Sequence, residues 1–550
     1  MRRMMLFLPW WFALSLALPA QGPDLVRSDG ITGPLHRAHV GEIAFMAKPV
    51  PLEQMSGSDF LKAFDLVERC DLDIRVFMAN SLTNFLHPLA PALGPGELDK
   101  IGNYQFSFYV DGAAVYTENL NPGAGGLQAK NTRTAFRVPL ISATEEDSWG
   151  RFLWMRFMIR GGEDALSEGK HTLRIEIRPY IKNPDLAVGG LIAAGEIVLN
   201  VIKPAVDEAA IAPQAVRPGG GWPVSSDGYD RDKIRELNRK IAQRDFKDIT
   251  SVVVIKDGRL LIEEYFNGAD RTTLHNTRSV GKTFTSALMG AAIRDGHIKS
   301  LDQTLGEFYD LKAFANDSPK KDAISLKNLM TMSSAFLGSD NDDASPGHEE
   351  KMYPTANWVK FALDLPMDPA KENGKQWDYF TAGVVLLGDI LDRSVPGGLE
   401  KYADRVLFKP LGITRYAWQY TPQKVVNTAG GLQMSSLDYA KFGQLYKNRG
   451  RWNGHPVLPE EWVAASFRRY LAVPNTVDVF YGLLFWNMTY HVEGRPYETF
   501  FCTGNGGSKI FVFLDRPLVV VVTATAFGKP YMHSQVDKMM ERFILPAVVK

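Results

Sequence analysis

The chain has 550 residues, with 62 basic and 62 acidic side chains. That length suits two or more domains, each with its own core, and the balanced charge supplies no electrostatic footprint for nucleic acid. Two cysteines, Cys70 and Cys502, are too few for a disulfide framework and are expected as free thiols.

Met1-Arg-Arg-Met-Met5, followed by the apolar run from Leu6 to Leu18, has the charged and apolar regions of an export signal, and Ala20 offers a cleavage site. Residues 1–20 are therefore expected to be a signal peptide and the remainder to be exported, periplasmic or secreted. Retention of the segment as an uncleaved anchor is the competing reading and the sole route to a membrane; the segment is short for a bilayer span.

Residues 21–203 contain alternating or apolar segments broken by Gly, Pro and Asn. Tyr104–Val110 before Asp111-Gly112, Arg151–Arg160 before Gly161-Gly162, and Thr172–Arg178 read as strands, with Val198–Ile202 as a further one. In the third, Leu173, Ile175 and Ile177 alternate with Arg174 and Glu176, which predicts one buried and one wet face. Met55–Glu68 is the one helix candidate. The pattern predicts an all-β sandwich of jelly-roll or immunoglobulin-like kind. Trp149, Trp154 and Tyr116 are read as core aromatics in preference to a sugar-binding face.

Residues 204–226, rich in Ala, Pro and Gly with Gly219-Gly-Gly221, read as a linker. A new domain, 227–550, opens with an amphipathic helix over Asp230–Ile241 that presents Ile234, Leu237 and Ile241 on one side. Thr250–Ile255, the Asp257-Gly258 turn and Leu260–Tyr265 read as a hairpin. Then comes Asn276-Thr-Arg-Ser-Val-Gly-Lys-Thr-Phe-Thr-Ser-Ala-Leu-Met289, with apolar residues at helical intervals. If Ser279 opens this helix, Lys282 lies on the same face. A serine hydroxyl is a poor nucleophile until a neighbour takes its proton, and a lysine held neutral could do so. Taken alone, a Ser-x-x-Lys pair is more often a helix cap followed by a solvated lysine.

Further on lie Ile324–Ser334, a polar loop from Gly338 to Glu350, Trp377–Gly383 leading into an apolar run, Thr428-Ala-Gly-Gly-Leu432, and Arg451-Trp-Asn-Gly454. Tyr481–Trp486, Ser508–Leu514 and Leu518–Thr525 read as closing strands, covered by a terminal helix from about His533 to Phe543. From about Asp227 to Val549, this order of motifs resembles the serine β-lactamase and penicillin-binding-protein superfamily. The resemblance is to its class C-like branch of β-lactamases, esterases, D-amino-acid peptidases and 6-aminohexanoate-dimer hydrolases.

The resemblance implies an antiparallel sheet flanked by helices beside a helical subdomain, an α/β (α+β) fold, with the active site between them. It also implies Ser279 as nucleophile, Lys282 as its lysine and Tyr379 as their phenolic partner. Thr381 stands where the family has an asparagine, and a hydroxyl lacks the carboxamide's paired donor and acceptor. Cys502-Thr503-Gly504 is one placement of the family's third motif, with cysteine where a cation would sit; the glycine-rich turn itself is the other. Ser279 N–H and an N–H near Gly506 or Gly507 are expected as oxyanion donors. Arg278 is expected at the rim, and Lys509 away from the cleft.

A serine hydrolase that cleaves an ester or small amide through an acyl-enzyme is the leading expectation. A β-lactamase or D-Ala-D-Ala carboxypeptidase, with a peptidoglycan-related substrate, is the alternative. A non-catalytic binding protein with a degenerate site is the second alternative. No cofactor or metal is expected, since the histidines are scattered and none is paired at ligand spacing.

Overall fold

A computed structural model describes residues 24–31, 33–143 and 148–549; the expected signal peptide lies outside the described residues. The chain divides into two compact units, Met1–Pro204 and Ala205–Lys550. Among the described residues no helix is long and apolar enough to cross a membrane.

The first unit contains two sheets. Ile43–Met46, Leu72–Phe77 and Ala135–Ile141 form the smaller; the larger runs Ala63–Leu66, Ala193–Val201, Gly169–Lys182, Gly102–Val110, Ala113–Asn119, with Leu186–Val188 beside Gly169–Lys182. Their inner faces share one core: Ile74 and Val76 meet Phe106, Phe108, Leu173, Ile175 and Ile177. The outer face of Gly169–Lys182 carries Arg174, Glu176 and Arg178, joined by ion pairs at 2.9 and 3.3 Å. This is the alternation its sequence predicts.

The unit is not all-β, and two expected elements change type. Residues 151–160 do not form a strand: Trp149–Phe157 is a helix, N-capped by Ser148 Oγ, and it ends near Gly161, whose φ is 126°. Leu153, Trp154 and Phe157 share a helical face and enter the core, so the apolar run satisfied the 3.6-residue period as well as the strand reading. Conversely, Met55–Glu68 is not a helix. It forms the short turn Gly57–Asp59 and the strand Ala63–Leu66, which gains a parallel ladder with Ala193–Val201.

The second unit is a mixed α/β domain built on an eight-stranded antiparallel sheet. Its order is Arg259–Tyr265, Ile249–Lys256, Leu518–Ala524, Lys509–Phe513, Arg495–Thr503, Trp486–Val492, Phe480–Tyr481, Leu471–Ala472. The hairpin turn at Asp257-Gly258 has φ of 50° and 71°, the doubly positive geometry that aspartate-glycine turns supply. Val252, Val254, Val520 and Val522 face one layer, which contains Ile234, Leu237 and the terminal helical residues Val536, Met539 and Met540. Val253, Ile255, Val519 and Val521 face the other, with Phe284 and Leu288 of the Gly281–Arg294 helix and Phe442 of the Ser436–Lys447 helix. Two covered faces explain why the closing strands are continuously apolar.

The Pro- and Gly-rich stretch before this domain lies along it. The Gln214 carboxamide pairs with the Tyr265 backbone, Nε2 donating to its O and Oε1 accepting its N–H, while Gln214 N donates to Glu264 Oε1 and Trp222 Nε1 donates to Leu437 O.

Candidate active site

Ser279 sits in the one-turn 3-10 segment Arg278–Val280, which runs directly into the Gly281–Arg294 helix. The chain enters this turn from His275–Asn276, which pairs with Leu432–Met434, and Thr277 N donates to Leu432 O. Asn276 Oδ1 accepts the Arg278 N–H at 2.9 Å, and Arg278 adopts φ of 46°. A non-glycine residue in that region is held there by its surroundings.

Three residues on, Lys282 is 1 % exposed. Its Nζ donates to Ser279 Oγ at 2.7 Å and to Ala429 O at 2.9 Å, and no carboxylate pairs with it among the described residues. Thr285 Oγ1 donates to Thr428 O at 3.0 Å, so the same helix grips the 428–430 loop twice. Glycine at 430 permits this approach, since a Cβ there would lie 2.9 Å from the Arg278 carbonyl carbon.

Tyr379 stands beside this pair, its ring centroid 5.0 Å from Lys282 Nζ. Trp486 stacks on the phenol ring at 5.9 Å and Trp377 lies 6.1 Å away, with Tyr481 packed against both tryptophans. Thr381 begins the Thr381–Ser394 helix; its Oγ1 is buried with no hydrogen-bond partner among the described residues and does not hold Lys282. The site thus gathers a hydroxyl and an amine from one turn-helix segment and a phenol from a second, distant stretch, beside a cluster of aromatic rings.

Sequence reasoning missed Asp340. Its Oδ2 accepts the Thr381 N–H at 2.7 Å and its Oδ1 the Glu349 N–H at 2.8 Å, which ties the Gly338–Glu350 loop to the helix mouth. Burial pushes its carboxyl above the ordinary aspartate value. An aspartate in a polar loop carries no signal of this role, because the helix terminus it caps lies about forty residues away. The acceptor role of Ala429 O was equally hidden, since every residue has a carbonyl.

The strand Arg495–Thr503 ends against the serine turn. A Cβ on Gly504 would fall 2.5 Å from Thr277 O and 3.1 Å from Ser279 N, so only glycine fits. Thr503 Oγ1 lies 3.3 Å from His533 Nδ1, whose ring burial pushes down to about 4. Gly506 and Gly507 both have φ of 98°, but their N–H groups are engaged: Gly506 donates to Met532 Sδ and Gly507 to Gly504 O. Neither is therefore available as the expected oxyanion donor. Within this turn the Asn505 N–H has no acceptor among the described residues.

Cys502 faces the core, and burial pushes its thiol up to about 12. Lys509 is buried on the opposite face, where it pairs with Asp537 at 2.5 Å. Arg278 is exposed and stacks on Phe527 at 4.7 Å. A cavity of about 390 Å³ that includes Arg271, Arg415 and Trp452 contains none of Ser279, Lys282 or Tyr379.

No curated protein matches this chain. Among solved structures, it is similar to an octameric penicillin-binding protein homologue from Pyrococcus abyssi, at 19 % identity over 56 % of this chain and 76 % of that one, with a TM-score of 0.44. It is also similar to EstCE1, a hydrolase with promiscuous acyltransferase activity, at 14 % identity over 56 % and 97 % with a TM-score of 0.47. A D-stereospecific amidohydrolase from Streptomyces matches at 17 % over 54 % and 93 %, with a TM-score of 0.42. These likenesses are too distant to carry any residue's role to this chain. Residues 237–540 match the family model described as Beta-lactamase, which is more than half of the chain, and the chain accordingly belongs to that family of serine-hydrolase-like fold.

Proposed function

We propose that this protein is a serine hydrolase that cleaves an ester or small amide through a seryl acyl-enzyme. The observation that carries the reading is the 2.7 Å contact between Lys282 Nζ and Ser279 Oγ, made by a buried amine whose other partner is a carbonyl. In its neutral form that amine accepts the hydroxyl proton across the same distance as Oγ bonds to the substrate carbonyl carbon. The bond to the leaving group then breaks, the leaving group takes a proton routed through Lys282 and Tyr379, and water releases the acid. Ser279 N–H and Asn505 N–H are the proposed oxyanion donors, each such donor being worth about 3 kcal/mol. The buried Cys502 thiol has no part in attack.

Support for an apolar acyl or leaving group comes from Trp486, partly exposed and stacked on Tyr379, with the buried rings of Trp377 and Tyr481 packed against it. The second reading, a β-lactamase or D-Ala-D-Ala carboxypeptidase, is the one nearer the matched family. It draws further support from Arg278, an exposed guanidinium beside the serine with no ion pair among the described residues, which could meet a substrate carboxylate.

A fluorophosphonate probe and p-nitrophenyl butyrate test the hydrolase reading. Adduct mass at Ser279 and ester turnover are expected, both absent in Ser279→Ala. If the parent is unlabelled and turns over no faster than Ser279→Ala, the reading is lost. Labelled penicillin run in parallel divides the two substrate classes, since stoichiometric acylation at Ser279 selects the second.

A further inference from the structure

The Trp149–Phe157 helix of the first unit presents aromatic side chains on two sides. Leu153, Trp154 and Phe157 fill the core, whereas Trp149 and Phe152 remain 42 % and 39 % exposed. Trp149, Phe152 and Arg156, spaced three and four residues apart, lie on one helical stripe. All three line a cavity of about 730 Å³ whose other walls include the paired rings of Tyr104 and Phe136, 5.1 Å apart. That volume falls in the range of ligand pockets, and a half-exposed aromatic stripe over it is apolar surface that the unit's own core does not cover.

The charges around the cavity are unequal. Arg156 is held by Glu118 at 2.6 and 2.8 Å, Arg137 pairs with Asp73 at 3.3 Å, and Lys130 pairs with Asp99 at 2.7 Å. Arg133 is exposed at the same wall and has no ion pair among the described residues. Among the described residues one cation is therefore left over at the edge of an aromatic pocket. We infer that this cavity is a binding site for an amphipathic monocarboxylate, its aryl or alkyl body against Trp149 and Phe152 and its carboxylate on Arg133. A neutral sugar would use the same rings but would have no need of the unpaired guanidinium. The inference stands apart from the Ser279 chemistry.

The test is calorimetric titration of biphenyl-4-carboxylate and the neutral biphenyl-4-carboxamide into the full chain carrying Ser279→Ala, which prevents acylation. The carboxylate is expected to bind at least tenfold tighter than the amide. Arg133→Gln should remove that advantage, with Arg133→Lys partly restoring it, whereas Trp149→Ala should weaken both ligands. Made in the parent chain, the Arg133 and Trp149 substitutions should leave p-nitrophenyl butyrate hydrolysis unchanged. Both positions are exposed, and unchanged melting temperatures will show that the variants are folded. The inference is overturned if the carboxylate gives no heat at millimolar concentration, if carboxylate and amide bind the Ser279→Ala chain equally, or if adding Arg133→Gln to that chain leaves carboxylate binding unchanged. Binding of chitotriose that Trp149→Ala abolishes, without carboxylate binding, would reassign the pocket to carbohydrate.

Discussion

Lys282 divides its amine between Ser279 Oγ, 2.7 Å away, and the carbonyl of Ala429, 2.9 Å away, so one buried side chain joins the serine turn to a loop about 150 residues downstream. Lys282→Met keeps the volume and removes both bonds. The expected outcome is a fall of about 100-fold or more in kcat for p-nitrophenyl butyrate, the scale of a lost general base. Melting should shift by only a few degrees, because burying a thioether costs less than burying an amine. Steady-state kinetics with a parallel thermal melt measures both.

Gly504 is held against the serine turn more tightly than any side chain permits. Gly504→Ala places a methyl 2.5 Å from Thr277 O and must push the strand end away from Ser279. The expected cost is about 1–3 kcal/mol of stability, as for other overpacked sites, together with at least a tenfold loss of kcat/KM. Urea denaturation and ester hydrolysis check the two; a variant with parental activity would show that this approach is not needed for the chemistry.

On the far face of the sheet, Asp537 Oδ1 accepts from Lys509 at 2.5 Å and from the Tyr490 hydroxyl at 2.6 Å. Asp537→Ala leaves a buried ammonium without its counter-charge and is expected to cost about 3 kcal/mol. The double variant Asp537→Ala with Lys509→Met should recover much of this loss, which chemical denaturation of the two proteins measures.

Glu264 gives a pH dependence of stability. Its carboxylate accepts from Gln214 N and Asn238 Nδ2, yet burial pushes it up to about 7. Between the ordinary glutamate value and pH 7 the folded chain holds a proton that the unfolded chain has released. Stability from this group is full below the ordinary value and is lost as pH rises through about 7. The loss amounts to about 3 kcal/mol at most. Glu264→Gln cannot titrate, so between pH 5 and pH 8 it should lose less stability than the parent. Denaturation midpoints at the two pH values test the difference; equal losses would remove Glu264 as the source.

Trp486 stacks on Tyr379 and forms part of the aromatic cluster. Trp486→Ala is expected to raise KM for p-nitrophenyl phenylacetate by about tenfold, the weight of a lost aromatic contact, with a smaller change for the acetate ester. Comparing KM for the two esters separates lost binding from general damage, which would lower kcat for both.

Much of the second unit was legible from local pattern. The Asp257-Gly258 hairpin, the helix displaying Ile234, Leu237 and Ile241, and the continuously apolar closing strands each follow from one period or one turn. Ser279 and Lys282 share a helical face for the same reason: three residues is nearly one turn. In the first unit, residues 151–160 fit two periods at once, and the capped helix prevailed because it could place Leu153, Trp154 and Phe157 together in the core. Ala63–Leu66 became a strand because Ala193–Val201 offered it a ladder. The remainder of the site depended on distant partners. Ala429 O, the Asp340 tie to Thr381, and the engaged N–H groups of Gly506 and Gly507 involve acceptors and donors that every sequence has in abundance. Their selection rests on how closely two backbones approach, and that distance is set by packing across the sheet and not by neighbours along the chain.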